Sequence, residues 1–383
     1  MRRRPNGGHA MTDMLPDDVL LDIFDAHRIL HSGLFDCYAW KWDKLVHVCR
    51  RWRQLIFAFP LRLRIRLHCT DRVDVKKFLG CWPAFPITVD YTYGKAIAPK
   101  DEDNVLAALE HSDRVHNLCF HIWDGQMAKL ATLMRKPFPM LTKLRISRKS
   151  WPKLVLPRGF LGGSAPRLQE LDLEDILPDL PKFLLSTCDL VTLKLSRIPP
   201  EAYISPETMV TCLAPMARLT YLSICISQLT LPSNQLKQAP ATRTRAVLPA
   251  LISIKFDCVI RYAEDLVARI DCPRRNSIDL YPRDDPPVDL QVSQVYKFIK
   301  RSEDPLLTGF DSVYVDVKDH YIGLQTSHSH SHYIPIFISL LDENWRLSHI
   351  FQVFNQFSLL LSNVRHISIN SSMRSPDRAP TFD

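Results

Sequence analysis

The phrase Leu-x-x-Leu-x-Leu, with valine, isoleucine or phenylalanine replacing some leucines, recurs through the middle of the chain and restricts it to a small set of architectures. Copies stand at 115–120, 141–146, 168–173, 190–195, 219–224 and 251–256, with a late one at 364–369. Their central apolar residues, Leu118, Leu144, Leu171, Leu193, Leu222 and Ile254, are separated by 26, 27, 22, 29 and 32 positions. The last two apolar residues of each phrase alternate with polar ones, the period of a strand that buries one face. The first apolar residue, three positions earlier, turns the incoming chain into the core. So short a strand cannot bury its face alone, so successive copies are expected to stack as parallel neighbours while the residues between them form return paths. Pro139, Pro166, Pro215 and Pro249 precede four of the phrases, which predicts an extended approach to each strand. Two returns, 104–109 and 264–270, read as helical, the first with Asp101 and Asp103 as available caps.

This spacing resembles a leucine-rich repeat in a loose form, because the asparagine or cysteine that follows the strand in regular repeats is missing. The resemblance implies an α/β chain: an irregular solenoid over 101–370 with a parallel sheet along one side. Before it, 61–100 reads as a linker with capping strands, where 63–67 and 87–91 alternate. After residue 271 the pattern blurs. Residues 274–280 and 311–317 still alternate as strands, 281–287 with its three prolines reads as a loop, and 371–383 reads as a disordered tail.

Residues between the inward leucines are expected on the exposed face of the sheet: Lys143 and Arg145, Glu170 and Asp172, Thr192 and Lys194, Tyr221 and Ser223, Ser253 and Lys255, Ser277 and Asp279. Charge signs alternate between neighbouring strands. Exposed pairs of this kind contribute little stability each. As a binding surface, such a mixed face suits a protein ligand and argues against a phosphate backbone. Arg145, Asp172, Lys194, Tyr221 and Lys255 are the candidate target-binding residues.

The N-terminal part follows a different pattern. Leu15-Pro16-Asp17-Asp18-Val19-Leu20-Leu21-Asp22-Ile23-Phe24 starts a helix: Pro16 suits a first turn, Thr12 or Asp13 is available to cap, and Asp17 and Asp18 complement the helix dipole. Leu15, Val19 and Ile23, with Leu20 and Phe24 beside them, give a wide apolar stripe. Leu45, Val48, Cys49, Trp52, Leu55 and Ile56 form the apolar side of a second amphipathic helix. A module of roughly 12–60 is too small to bury all of this surface by itself. The opening, followed by Val48-Cys49-Arg50-Arg51-Trp52, resembles an F-box. That resemblance implies that Leu15, Pro16, Val19, Leu20, Ile23, Phe24, Leu45, Val48, Cys49 and Trp52 dock on the Skp-type adaptor of a cullin-RING ubiquitin ligase. The stretch 25–44 is about ten residues longer than a compact F-box. With Trp40-Lys41-Trp42 and Cys81-Trp82-Pro83-Ala84-Phe85-Pro86, it is similar to a large group of fungal-type F-box proteins that tolerate such an insertion.

Composition narrows the remaining choices. The 383 residues, 46% hydrophobic, supply a large core, and apolar runs such as 334–338 are far short of the roughly 20 residues that cross a bilayer. The basic start at 1–11 lacks the apolar stretch of a secretory signal and reads as disordered, so the expected compartment is cytoplasmic or nuclear. Net charge of +8 is modest for this length, and nucleic acid is not an expected partner. The ten cysteines show no Cys-x-x-Cys spacing and read mostly as small core residues. With 11 glycines there is no phosphate-binding loop and no Gly-x-Ser-x-Gly elbow, and the alternating histidines at 328–332 read as a loop and not a metal site. No catalytic residue, metal or cofactor is expected. The chain reads as a noncatalytic receptor of a Skp-cullin-F-box ligase, or alternatively as a repeat scaffold acting outside one.

Overall fold

The computed structural model describes residues 14–31, 42–60, 67–69, 74–91, 99–122, 130, 132–148, 154–155, 159–177, 180–198, 203–226, 245–274, 277–282, 293–301, 311–318, 321–327, 336–340, 355 and 364–371. The chain is mixed helix and strand, with much of the strand in parallel sheet, and it divides into two compact units, 1–119 and 120–383. Among the described residues no helix is long and apolar enough to cross a membrane. The expectations for 1–13, for 61–66, for the histidines at 328–332 and for 372–383 concern residues outside the described ones, as does 32–41 of the long stretch.

The first unit opens with three helices, α1 (Asp17–His31), α2 (Trp42–Val46) and α3 (Arg50–Ala58). Pro16 sits one place outside the position expected for it: its carbonyl accepts the first helical bond from the Leu20 N–H at 3.1 Å, and Asp17 occupies the first turn. The single long second helix expected from periodicity is two helices. At Cys49 the backbone is extended (φ −154°, ψ 172°), and the thiol takes over as cap by accepting from the Trp52 N–H at 3.4 Å. The end of α2 is satisfied from across this break, where the Arg53 Nε donates to the Val46 carbonyl at 2.9 Å. Beyond α3, β1 (Leu67–Cys69) and β2 (Ile87–Tyr91) pair in parallel, with α4 (Val75–Cys81) between them; α5 (Pro99–Leu109) and β3 (Val115–Ile122) follow. α5 starts five residues earlier than expected, so Asp101 and Asp103 lie within it and not at its cap. The Asn104 side chain instead accepts from the Val75 N–H at the start of α4, at 3.2 Å.

In the second unit the repeated phrases become β4 (Lys143–Arg148), β6 (Glu170–Glu174), β8 (Thr192–Ile198), β9 (Tyr221–Ile226) and β11 (Ser253–Cys258), joined by β13 (Ser277–Pro282). They are consecutive parallel neighbours, and Leu144, Leu171, Leu193, Leu222, Ile254 and Ile278 stand opposite one another along the sheet. All six are fully buried, as are the turn-in residues Leu141, Leu168, Leu190, Leu219 and Leu251. One carbonyl per phrase links each copy to the next: Thr142, Gln169, Val191 and Thr220 each accept two successive N–H groups from the following phrase, at 2.8 to 3.2 Å.

Three of the four prolines enter turns in place of the extended approach expected of them. Pro139, Pro166 and Pro249 occupy the second place of tight turns closed by Leu141 N–H to the Phe138 carbonyl, Leu168 to Ala165, and Leu251 to Leu248 (3.1 to 3.2 Å). Their fixed φ suits that place. Helices Leu180–Leu185, Pro206–Leu213, Ile260–Val267 and Ser293–Lys300 run in the returns. Ile270, expected in a helix, is in β12 (Ile270–Asp271), which pairs with β10 (Ala246–Val247); the shorter pair β5 (Leu154–Val155) and β7 (Ile176–Leu177) is also parallel. Tyr281 and Pro282, expected in a loop, end β13, while 283–287 lies outside the described residues.

The parallel order does not continue to residue 370. After β13 come β14 (Ser312–Lys318), β15 (Tyr321–Ser327), β16 (Ile336–Leu340) and β17 (His366–Ser371), in the spatial order β13-β16-β15-β14-β17. β15 is antiparallel to both β14 and β16. Only two residues separate β14 from β15, and a parallel crossover needs a dozen or more, so a hairpin is the available connection. Ser371, read as the start of a tail, pairs with Val317 inside β17.

Candidate functional site

Two surfaces collect the residues singled out by the sequence. The first is built on α1 to α3. Leu20, Leu21 and Phe24 are essentially buried, as are Leu45, Val46, Leu55 and Ile56; burial of each such side chain is worth roughly 1.5–3 kcal/mol. Phe24 meets the Trp52 ring edge-to-face, centroids 4.8 Å apart. On the other end of α3, Phe57 packs against Phe85 at 5.5 Å and Trp82 at 6.5 Å, so the 81–86 stretch holds this helix.

The remaining apolar residues face outward. Val19 is 37% exposed, Ile23 44% and Val48 58%, and Pro16 is exposed too. Positions 16, 19 and 23 lie within about 60° around the axis of α1, next to the inward stripe of 20, 21 and 24. The apolar stripe read from the sequence is therefore two stripes: Leu20, Phe24 and Leu45 close the module, Pro16, Val19, Ile23 and Val48 lie outside it, and Leu15, Cys49 and Trp52 are intermediate. Leu21, missed as a core residue, turns inward.

Arg51 ties the ends of this surface together. Its guanidinium donates to the Asp17 carboxylate at 2.6 Å through Nη2 and 3.2 Å through Nε, and to the Leu15 carbonyl at 2.5 Å. It therefore fixes the start of α1, where Pro16 and Val19 stand, against α3, which Val48 precedes. In the sequence Arg51 stands within the F-box-like Val48-Cys49-Arg50-Arg51-Trp52, which gives it no expected contact.

The second surface is the polar side of the parallel strands. Lys143 and Glu170 form an ion pair across β4 and β6 at 2.6 Å, and Arg145 and Asp172 another at 3.3 Å. Arg197, whose φ is +51° at an irregularity in the pairing of β8 with β9, reaches Glu174 and Asp175, both at 3.0 Å. From β8 onward the arrangement changes. The Lys194 ammonium lies over the Tyr221 ring at 5.2 Å and the Lys255 ammonium over the Tyr281 ring at 4.5 Å, contacts worth about 0.5–1 kcal/mol at exposed sites. Burial pushes the Asp279 carboxyl up, and the Lys255 charge pulls it partly back. Ser223 and Ser277, expected on the exposed face, are instead buried, Ser277 donating to the Ser253 hydroxyl at 2.8 Å.

A third arrangement was not legible in the sequence. Glu264, buried in the helix Ile260–Val267, accepts from the Gln294 and Val295 N–H groups, both at 2.7 Å, and so caps the helix Ser293–Lys300 of the next return. Its burial raises the carboxyl pKa, and the two N–H donors pull against that rise. Among the described residues no group of three or more histidine, cysteine or acidic side chains is placed to hold a metal. Of the described cysteines, Cys69, Cys119, Cys212, Cys258 and Cys272 are buried, Cys49 and Cys225 are half-buried, and Cys81 and Cys188 are exposed. Burial pushes the Cys69 thiol up to about 12 despite the nearby Arg114 charge, which keeps it protonated and unreactive. Comparisons with family models, curated proteins and solved structures return no match.

Proposed function

We propose that the chain is a noncatalytic substrate receptor: an F-box formed by α1 to α3 docks on a Skp-type adaptor and thereby on a cullin-RING ubiquitin ligase, and an irregular leucine-rich-repeat solenoid holds a target protein. The observation that carries this reading is the split of the F-box-like motif into two sets. Leu20, Phe24 and Leu45 complete the core of the module, while Pro16, Val19, Ile23 and Val48 leave apolar surface uncovered in the described structure. Single exposed apolar residues are ordinary, but several on one short module mark a contact surface. In support of the repeat reading, the phrase leucines stand in register on consecutive parallel strands from β4 to β11.

The mechanism is proximity. A receptor that holds its target beside an activated ubiquitin turns a bimolecular encounter into an effectively intramolecular one, and supplies no reacting group itself. Such a receptor acts in the cytoplasm or nucleus, with neither a membrane nor a nucleic acid as partner. The test is binding of the purified chain to a purified Skp-type adaptor, with and without cullin. Saturable binding that depends on Val19, Ile23 and Val48 supports the receptor; binding of neither leaves a repeat scaffold acting outside a ligase.

A further inference from the structure

Each copy of the repeated phrase is a template for the next. The carbonyls of Thr142, Gln169, Val191 and Thr220, each the second residue of its phrase, accept two successive N–H groups from the phrase that follows, and Ile252, in the same place, accepts from the Ser277 N–H. The late phrase at 364–369 is seated in the same way: the Arg365 and His366 N–H groups donate to the Asp311 carbonyl at 2.7 and 3.1 Å. From there β17 runs parallel to β14 over six unbroken pairs, from His366 beside Ser312 to Ser371 beside Val317. Arg365 is the second residue of this last phrase, and among the described residues no strand follows β17.

The open side of β17 is made like an internal one. In a parallel ladder alternate residues serve alternate sides. His366, Ser368 and Asn370 are committed to β14, so the Arg365 carbonyl, both backbone groups of Ile367 and the Ile369 N–H are directed away from it. Natural sheets blunt such edges with charged side chains, proline or a bulge. Residues 366–371, His-Ile-Ser-Ile-Asn-Ser, contain no proline, lysine, arginine or acid, and their register has no shift. The apolar row also runs out uncovered. Thr326 and Val313 are 1% and 2% exposed, whereas Ile367, next in register, is 63% exposed; the central residues from Leu144 to Ile278 are all at 0%. The residues that come next in the chain do not suit the place, since 372–383 carry Pro376 and Pro380, and a parallel crossover alone takes about a dozen residues before its strand begins.

We infer that β17 takes one further strand from the target protein: an extended segment with apolar residues at alternate positions, laid parallel to β17, two of its N–H groups on the Arg365 carbonyl and one of its apolar side chains over Ile367. The segment plays the part of a next phrase, so the established order of the stack fixes its direction and register. Main-chain bonds supply the affinity and the alternate side chains the specificity. The identity of the occupant as the target rests on the proposed receptor role; the place and direction of the strand rest on the stack alone.

The test uses the immobilised full chain and a peptide pool with the fixed pattern Leu-x-x-Leu-x-Leu, where x is degenerate but never proline. In a parallel strand the third and fifth residues donate to β17, whereas in an antiparallel strand with its leucines beside Ile367 the fourth and sixth do. N-methylation at the third and fifth positions should therefore lower retention about tenfold or more, and N-methylation at the fourth and sixth should leave it unchanged. Ile367→Lys and Ile367→Pro should each lower retention of the parent pool about tenfold, and Val247→Lys, at another exposed apolar site, should not. Because Ile367 is exposed, Ile367→Lys should keep its thermal midpoint within about 2 °C of wild type, so the inference stays testable if the proline variant does not fold. No retention of the parent pool, the reverse N-methylation pattern, or equal retention by Ile367→Lys overturns the inference. So does a dimer of the chain, seen by sedimentation, that the pool dissociates and Ile367→Lys abolishes, since that outcome assigns the edge to a second copy. Adaptor binding is measured on the same preparations; its absence alongside capture of the pool in the predicted pattern removes the ligase reading and leaves the strand site standing.

Discussion

The helical segment 14–60 and the parallel strands β4 to β13 treat their apolar residues in opposite ways. On the strands every leucine of the repeated phrase from Leu141 to Leu251 is buried, and the outward positions hold polar side chains that pair with one another. On the helices, residues of equal hydrophobicity divide between inside and outside: Leu20 and Phe24 are sealed, while Val19 and Ile23, adjacent in sequence to them, are not. The strands are complete as a stack, because each copy covers the next. Three short helices have too little volume to cover everything they carry. In the proposed receptor the uncovered apolar surface of the helices is where the adaptor would dock, and the self-paired polar face of the strands is where a target would be held.

Substitution at equivalent-looking apolar positions should break that symmetry most visibly. Leu171→Asp, which places a charge at a fully buried position shared by β4, β6 and β8, should cost more than the roughly 2–5 kcal/mol of a core Leu→Ala and unfold neighbouring strands. Val48→Asp should change stability by less than about 0.5 kcal/mol. Chemical denaturation of both proteins checks the pair. Similar losses would mean that Val48 is covered within the chain.

Trp52 belongs to both sets, since it packs on Phe24 and stays partly exposed. Trp52→Ala should lower stability by about 2 kcal/mol and weaken adaptor affinity roughly thirtyfold or more, so its two effects are separable only against the purely outward variants. Glu264→Gln removes one of two cap bonds and should cost about 1 kcal/mol. Because the folded carboxyl pKa is raised, the native state holds its proton to higher pH than the unfolded chain. The contribution of Glu264 is then fullest below the ordinary glutamate pKa and declines as pH rises through the raised folded value. The stability difference between wild type and Glu264→Gln should accordingly shrink from pH 4 to pH 7; a difference that grows over that range contradicts the assigned shift. The smallest effect is expected at Arg51. Its bond to the exposed Asp17 carboxylate is worth at most about 1 kcal/mol, so Arg51→Gln should change stability little, yet lower adaptor affinity by loosening the start of α1, and Asp17→Asn should add nothing further to it.

The strands were legible because their signal is local and repeated: period-two alternation with a leucine three residues ahead specifies both the strand and the buried face. The same periodicity did not reveal the hairpin of β14 and β15, since alternation is identical in parallel and antiparallel strands and only the two-residue gap between them discriminates. On α1 the helical period identified a stripe but not its division, because a stripe wide enough to include 16, 19, 20, 23 and 24 spans more than one contact face. The break between α2 and α3 was hidden for a related reason. Val48 and Cys49 are apolar at the right spacing for one helix, and nothing in their types announces a sulfur cap. Ser205-Pro206-Glu207 did carry a readable start signal for the helix Pro206–Leu213, whereas the cap of Ser293–Lys300 comes from Glu264, thirty positions away, where no local rule reaches.

The central claim is that Val19, Ile23 and Val48 are uncovered because an adaptor covers them. Its most direct test is the affinity of a purified Skp-type adaptor for the wild-type chain and for Val19→Ala/Ile23→Ala/Val48→Ala, measured by calorimetry alongside the thermal midpoint of each. The account predicts an unchanged midpoint, within about 2 °C, and a loss of affinity of roughly thirtyfold or more. An unchanged affinity, or a wild-type chain that does not bind the adaptor at all, would contradict it.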